Sequence, residues 1–294
     1  MKRVFVILLC SALLLISGCT KKYQRISFDD AFLADNSIPH IEVETNVVNN
    51  TSVAFPNKLS IYEITERNIA YQDYEQMLES LKLSPHPKHF ELDGNRLFYN
   101  LASYTDSSRG FFNMTDSKVE TLAKEIFALI PFMYGEYECL GIRHTMTREN
   151  SQGTHITRVG VSFRKLLDDV RVVGEEECVL FFDGSGLVAI DITLFSYKKI
   201  GNMDVVDVSS ALDKIKEPDD FSVDAKNIEH LGEAIEALEV NQTKLLFVNQ
   251  YSRGCQILQP VYNFTGTAID TNNNEMEFSA KVIAIPESYT YETE

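Results

Sequence analysis

Apolar positions recur along this chain with two different periods. In "TERNIAYQDYEQMLESLKL", Ile69, Tyr74, Met77, Leu78 and Leu81 share one face of a 3.6-residue helix. "MTDSKVETLAKEIFALIPF" repeats the pattern with Val119, Leu122, Ile126 and Ile130, and Phe127 beside them. Ser117 and Glu120 have the spacing of a capping box, and Pro131 stops the helix. A third, shorter helix is expected from Ser209 or Ser210 to before Pro218. Elsewhere the alternation is that of strands: "NKLSIYEI", "FELDGNRLFYNL", "SRGFFNM", "YECLGIRHTM", "THITRVGVSF", "RVVGEEECVLFF", "LVAIDITLFSY", "TKLLFVNQ", "ILQPVYNFTGTAI" and "EMEFSAKVIAI". Pro260 places its run at an edge or a strand start. "KNIEHLGEAIEALEV" reads as either a helix or the entry to a strand.

Two turn signals stand out. Asp93-Gly94 between apolar runs marks a hairpin. "FFDGSGLVAI" (Phe181–Ile190) also carries glycines beside an Asp. A phosphate-binding loop needs a helix N-terminus after the glycines. Here the continuation "LVAIDITLF" is strand-like, so "DGSG" is expected to be an exposed hairpin tip.

The N-terminus decides location. Lys2 and Arg3 precede an apolar run over Val4–Ile16, and "ISGC" ends at Cys19. This is the pattern of a bacterial lipobox, cleaved before Cys19 so that its thiol takes a diacylglyceryl group. The run is shorter than the ~20 residues of a spanning helix. Two acyl chains suffice for stable anchoring. The expected product is a lipoprotein on the extracytoplasmic face of the cell membrane, attached through Cys19.

The whole chain carries 27 basic and 43 acidic side chains, a net charge of −16. Without Lys2 and Arg3 the balance is 25 − 43 = −18. Such a surface repels phosphate backbones, so no nucleic-acid partner is expected. The acidic runs "GEEE" (Gly174–Glu177) and "EPDD" (Glu217–Asp220) read as solvated turns. Cys139, Cys178 and Cys255 remain after Cys19, either all free or as one disulfide and a free thiol.

The order of elements gives a domain plan: signal peptide 1–18, tether 19–40, a small α+β unit over 41–114, two similar helix-plus-sheet units over 115–203 and 204–286, and a tail 287–294. "THITRVGVSFRKLLDDVRVVGEEECVLFFDGSGLVAID" and "LQPVYNFTG" carry a resemblance to the PepSY-like superfamily. That group includes propeptides of thermolysin-type proteases and the YycI/YycH-type regulators of a sensor kinase. The resemblance implies an α+β fold of tandem PepSY-like units, each a helix packed on a curved antiparallel sheet, after the N-terminal unit. It also implies binding, inhibition or regulation outside the cell. It supplies no catalytic residues.

The residues themselves name no catalytic or cofactor-binding group. The chain has no HExxH, GxSxG, Walker or GxGxxG motif. His86 and His89, with Glu91 and Asp93 close by, fall short of a converging zinc set. The turn of "TRENSQG" places His144 opposite Val159 and His155 opposite Arg148, so the two imidazoles do not meet. Asp168-Asp169 and Asp219-Asp220 read as solvated loops. Tyr134, Tyr137, Phe111, Phe112, Phe181, Phe182, Tyr262 and Phe264 line either a groove or a core. The function expected is a non-enzymatic module that binds another envelope or membrane protein, with no cofactor, metal or small-molecule ligand. The alternatives are a solute-binding lipoprotein of a transporter and a hydrolase without a recognisable motif.

Overall fold

The computed structural model describes residues 40–101, 112–150, 153–174, 176–215, 220–223, 234–252 and 255–286. Cys19, the tether and the tail lie outside them, as do most of "SRGFFNM" and the ambiguous run before Ala234. The strands are β1 (His40–Asn49), β2 (Lys58–Glu66), β3 (His89–Asp93), β4 (Arg96–Asn100), β5 (Tyr137–Asn150), β6 (Gly153–Leu167), β7 (Val170–Val173), β8 (Glu177–Asp183), β9 (Gly186–Thr193), β10 (Phe195–Asp204), β11 (Asp220–Val223), β12 (Ala234–Ser252), β13 (Cys255–Asp270) and β14 (Glu275–Ile283). The helices are α1 (Tyr71–Leu81), α2 (Asp116–Phe127) and α3 (Val208–Asp213).

All fourteen strands join one branched, mixed sheet whose main path runs β10-β2-β13-β12-β7-β6-β8-β9-β4-β3. The expected tandem of helix-plus-sheet units is not what forms. Strand dominates, and α3 has only six residues, too short to cover a sheet. β12, β13 and β14 do not make a self-contained second unit. β12 takes β1 and β7 as parallel neighbours, and β13 takes β2. The N-terminal elements are divided as well: β2 pairs with β10, whereas the β3–β4 hairpin adds to β9. Element order along the chain misled because each strand pairs where its apolar face finds a core, and those partners are remote in sequence.

Two cores result. Core one holds Leu59, Ile64, Leu238, Phe247, Phe264 and Phe278, closed at one side by Ala211 and Ile215 from α3 and the turn after it. Core two holds Met77 of α1, Val119 of α2, and Leu97, Phe163, Leu180 and Ile192 of the sheet. β6 and β7 bridge the two: β6 pairs with β5 and β8 in core two, then folds back on β7 at Leu167↔Val170.

Pro260 lies inside β13 rather than at its start. On one side of β13, β2 pairs only at Gln256 and Ile257, and β14 begins at Val261. Pro260 sits where the β14 ladder ends: its carbonyl accepts from the Ala284 amide at 3.0 Å, and only the reciprocal bond of that last pair is missing. Gly266 answers a closer constraint. β12 bulges between Val240 and Gln242, and a Cβ on Gly266 would overlap the Glu239 carbonyl oxygen.

The sequence-expected helices form, with one difference in capping. Thr115 is the N-cap of α2 and accepts no side-chain cap bond, so the Ser117/Glu120 box is not made. Glu120 instead reaches towards Gly141, which has φ 72. Asp73 closes the start of α1 by accepting the Ala70 amide at 2.9 Å.

Candidate functional site

The residues singled out in the sequence do not converge. "DGSG" is a tight hairpin in which Asp183 pairs with Gly186 and accepts from the Ser185 amide at 2.8 Å. Only Gly186 of its two glycines has positive φ, at 117. Asp183 itself is buried, although Gly184 and Ser185 are exposed. His155 faces Arg148 as expected, but His144 faces Gly160. A bulge between Met146 and Thr147 moves the register by one residue. The His144 ring lies against Phe181 instead, 5.9 Å between centroids. His89 lies against Phe98. Among the described residues, no group of three or more His, Cys, Asp or Glu side chains is placed to hold a metal.

The aromatic set is split four ways. Tyr262 and Phe264 belong to core one, Phe182 to core two, Phe181 to the opposite face, and Tyr134 is 62% exposed. Phe111 lies outside the described residues. Cys139 and Cys178 are free. Each faces Phe163 from a flanking strand, so they are about 10 Å apart, beyond bridging distance.

What the structure does assemble is a set of polar side chains at the seam between the cores. Lys165 on β6 continues the core-facing alternation of Val159, Val161 and Phe163. Glu176 does the same for Cys178, Leu180 and Phe182 on β8. Both sit at the ends of their core-facing rows and are buried, Glu176 to 2% exposure. Tyr137 donates its hydroxyl to Glu176 Oε1 at 2.7 Å. Glu176 Oε2 has no bond of good geometry, although the Tyr197 hydroxyl and the Phe195 amide are near enough to favour the ionised carboxylate. Lys165 Nζ donates to the Tyr134 carbonyl and lies 4.6 Å from the Tyr137 ring centroid. Arg67, just after β2, donates to the Phe132 carbonyl at 3.1 Å and covers the Tyr134 ring. The loop 131–137 is thus pinned by two cations, one from each side of the seam.

Burial pushes the Glu176 carboxyl above its ordinary range, and the two tyrosines and Lys165 only partly offset it. Burial likewise lowers Lys165, against the Glu176 charge that raises it. Both tyrosine hydroxyls are held far above their usual value, first by burial and then by the Glu176 charge. "GEEE" is therefore not simply a solvated turn.

The Asp168-Asp169 turn makes a second seam contact. Both residues have positive φ, 50 and 61, a conformation Asp tolerates better than most. Asp168 accepts the Ser60 amide at 2.7 Å and the Tyr62 hydroxyl at 3.0 Å. It remains solvent-facing, as expected for a loop, but it ties β2 to the β6–β7 hairpin. A shallow groove of about 400 Å³ lies by the end of β8, lined by Glu66, Arg96, Glu177 and Asp191 among others. Its charges are largely matched within the protein: Arg96–Asp191 at 3.1 Å and Arg164–Glu177 at 3.0 Å.

Among the described strands, β1, β3, β5, β10 and β11 each have a single partner, and two of these edges contrast. β5 pairs only with β6 among the described strands, over three register shifts, and exposes Arg143, His144 and Arg148. β3 pairs only with β4 among the described strands, with no shift over its five residues.

In comparisons with known proteins, no protein-family model and no curated sequence matches the chain.

Proposed function

We propose that the chain is a lipid-anchored extracytoplasmic module that binds another envelope or membrane protein and performs no chemistry of its own. The observation that carries this reading is the β3 edge. It is a regular row of backbone donors and acceptors, unpaired among the described residues and flanked by exposed aromatics, the surface that strand addition uses. Attachment through Cys19, as read from the sequence, would put that surface outside the cell and near the membrane. The groove beside β8, with its charges paired internally, favours a solute less.

The test is to isolate the intact lipoprotein from its own membranes after brief crosslinking, identify what is joined to it, and rebuild the pair from purified components. A saturable complex with one membrane or envelope protein is expected. A chain that takes up no protein saturably but binds a small solute, or turns one over, would overturn the reading.

A further inference from the structure

The edges of this sheet are not equally guarded. Edge strands are normally blunted by bulges, prolines or charges that deter a further strand. β5 carries such devices: three register shifts and exposed Arg143 and Arg148. β3, "HFELD", has no bulge and no proline between His89 and Asp93, and its charges, Glu91 and Asp93, share one sign and one face.

Its two faces differ in chemistry. Phe90 faces the side of Tyr99 and Leu92 that of Leu97, the face on which α1 packs. There the Phe90 ring lies 4.4 Å from that of Tyr74, tilted by 34°, and Tyr74 in turn lies 5.6 Å from the Tyr71 ring. Tyr74 is buried, but Phe90 and Tyr71 remain 37% and 60% exposed, an aromatic shelf beside an edge that no described strand pairs. On the opposite face, alternation places His89, Glu91 and Asp93, and all three are exposed. Exposed Glu75 and Glu79 on α1 add to the acidic character. Residues 71–93 hold two lysines and five acids, 2 − 5 = −3.

We infer that the outer edge of β3 takes up an extended, cationic segment of a partner protein, alternating basic and apolar side chains, as an added strand. This rests on the protein-binding reading above and names the partner's chemistry. Backbone hydrogen bonds would hold the segment to β3. Its apolar side chains would cover Phe90 and Tyr71, and its lysines or arginines would stand opposite Glu91 and Asp93.

The test uses the full lipoprotein in detergent and a peptide of about eight residues alternating lysine and valine. Binding is followed by fluorescence anisotropy, and backbone amide exchange is followed at residues 89–93. Saturable binding is expected, with slowed exchange confined to β3 and its neighbours, and with affinity falling as salt rises. A peptide of the same sequence N-methylated at alternate amides should bind at least about tenfold more weakly, because it keeps the charge but loses one row of donors. Glu91→Gln with Asp93→Asn should weaken the parent peptide by about tenfold. Equal binding of the methylated peptide, protection located on β5, or a chain that occupies the edge with a second copy of itself would each overturn the proposal. If the membrane partner is captured but binds the Glu91→Gln/Asp93→Asn protein unchanged, the β3 assignment falls and the protein-binding reading stands. If the peptide behaves as expected but no membrane protein is captured, the edge assignment stands and the broader reading falls.

Discussion

Asp168 and Glu176 lie close together in the chain, and both join the half of the molecule built on core one to the half built on core two. They do so in opposite ways. Asp168 faces solvent and accepts two hydrogen bonds from β2. Partial desolvation pushes its carboxyl up, but the Ser60 and Tyr62 bonds and the Lys199 charge outweigh that, and the net shift is downward. Glu176 is enclosed, with one oxygen bonded well and the other not, and its net shift is upward. The exposed carboxylate works as an ion; the enclosed one is penalised for being one. A seam held by both should therefore respond to pH at two separate points.

The largest effect is expected from Glu176→Ala. It removes the acceptor of Tyr137 and leaves a cavity among buried side chains. A buried donor left unsatisfied, with the cavity added, costs about 3 kcal/mol, read as a shift in the urea midpoint. Asp168→Ala comes next, at about 1–2 kcal/mol. The Ser60 amide and Tyr62 hydroxyl lose their acceptor, and alanine is strained at φ 50. Solvent screening keeps that figure modest.

The comparison is sharpened by pH. The raised Glu176 carboxyl binds its proton more tightly folded than unfolded, so its contribution is full below the ordinary value of 4.5 and is lost as pH rises from there through the folded value. The lowered Asp168 carboxyl does the reverse. Its contribution is present above the ordinary value of 3.8 and is lost as pH falls below it. Glu176→Gln should keep the Tyr137 bond, change stability at pH 4 by less than about 1 kcal/mol, and abolish the decline above pH 4.5. An identical decline in the variant would show that another group causes it. The smallest effect is expected from Asp168→Asn, below about 1 kcal/mol, since asparagine accepts a hydrogen bond and tolerates the left-handed region.

Much of this was written locally in the chain, and some was not. The helical faces around Met77 and Val119 and the two glycine hairpins could be read because turn chemistry and period act over a few residues. The burial of Glu176 was also legible in principle. Stepping back by two from Phe182, Leu180 and Cys178 lands on it, and stepping forward by two from Phe163 lands on Lys165. Three glutamates in a row obscured that register by looking like a turn. The Asp168 clamp was not legible, because its partners in β2 lie 106 and 108 residues away. The division of the N-terminal elements between two cores failed for the same reason. Sequence order suggested repeated units, whereas pairing was decided by long-range apolar faces. Residue-type motifs could not reveal the β3 edge, since what distinguishes it is what the neighbouring strands leave open.

One feature of the fold bears on mechanics. β1 enters the sheet parallel to β12, with Asn46–Asn49 in register with Ala237–Val240. Held at Cys19, as proposed, the chain would transmit tension from the membrane into the start of this ladder. A load applied between that anchor and a partner would therefore reach the β1–β12 ladder before any other pairing. Single-molecule pulling between residue 20 and β3 should then release β1 from β12 as its first event; a first event elsewhere in the sheet, with β1 still paired, would show that the ladder does not take the load in this way.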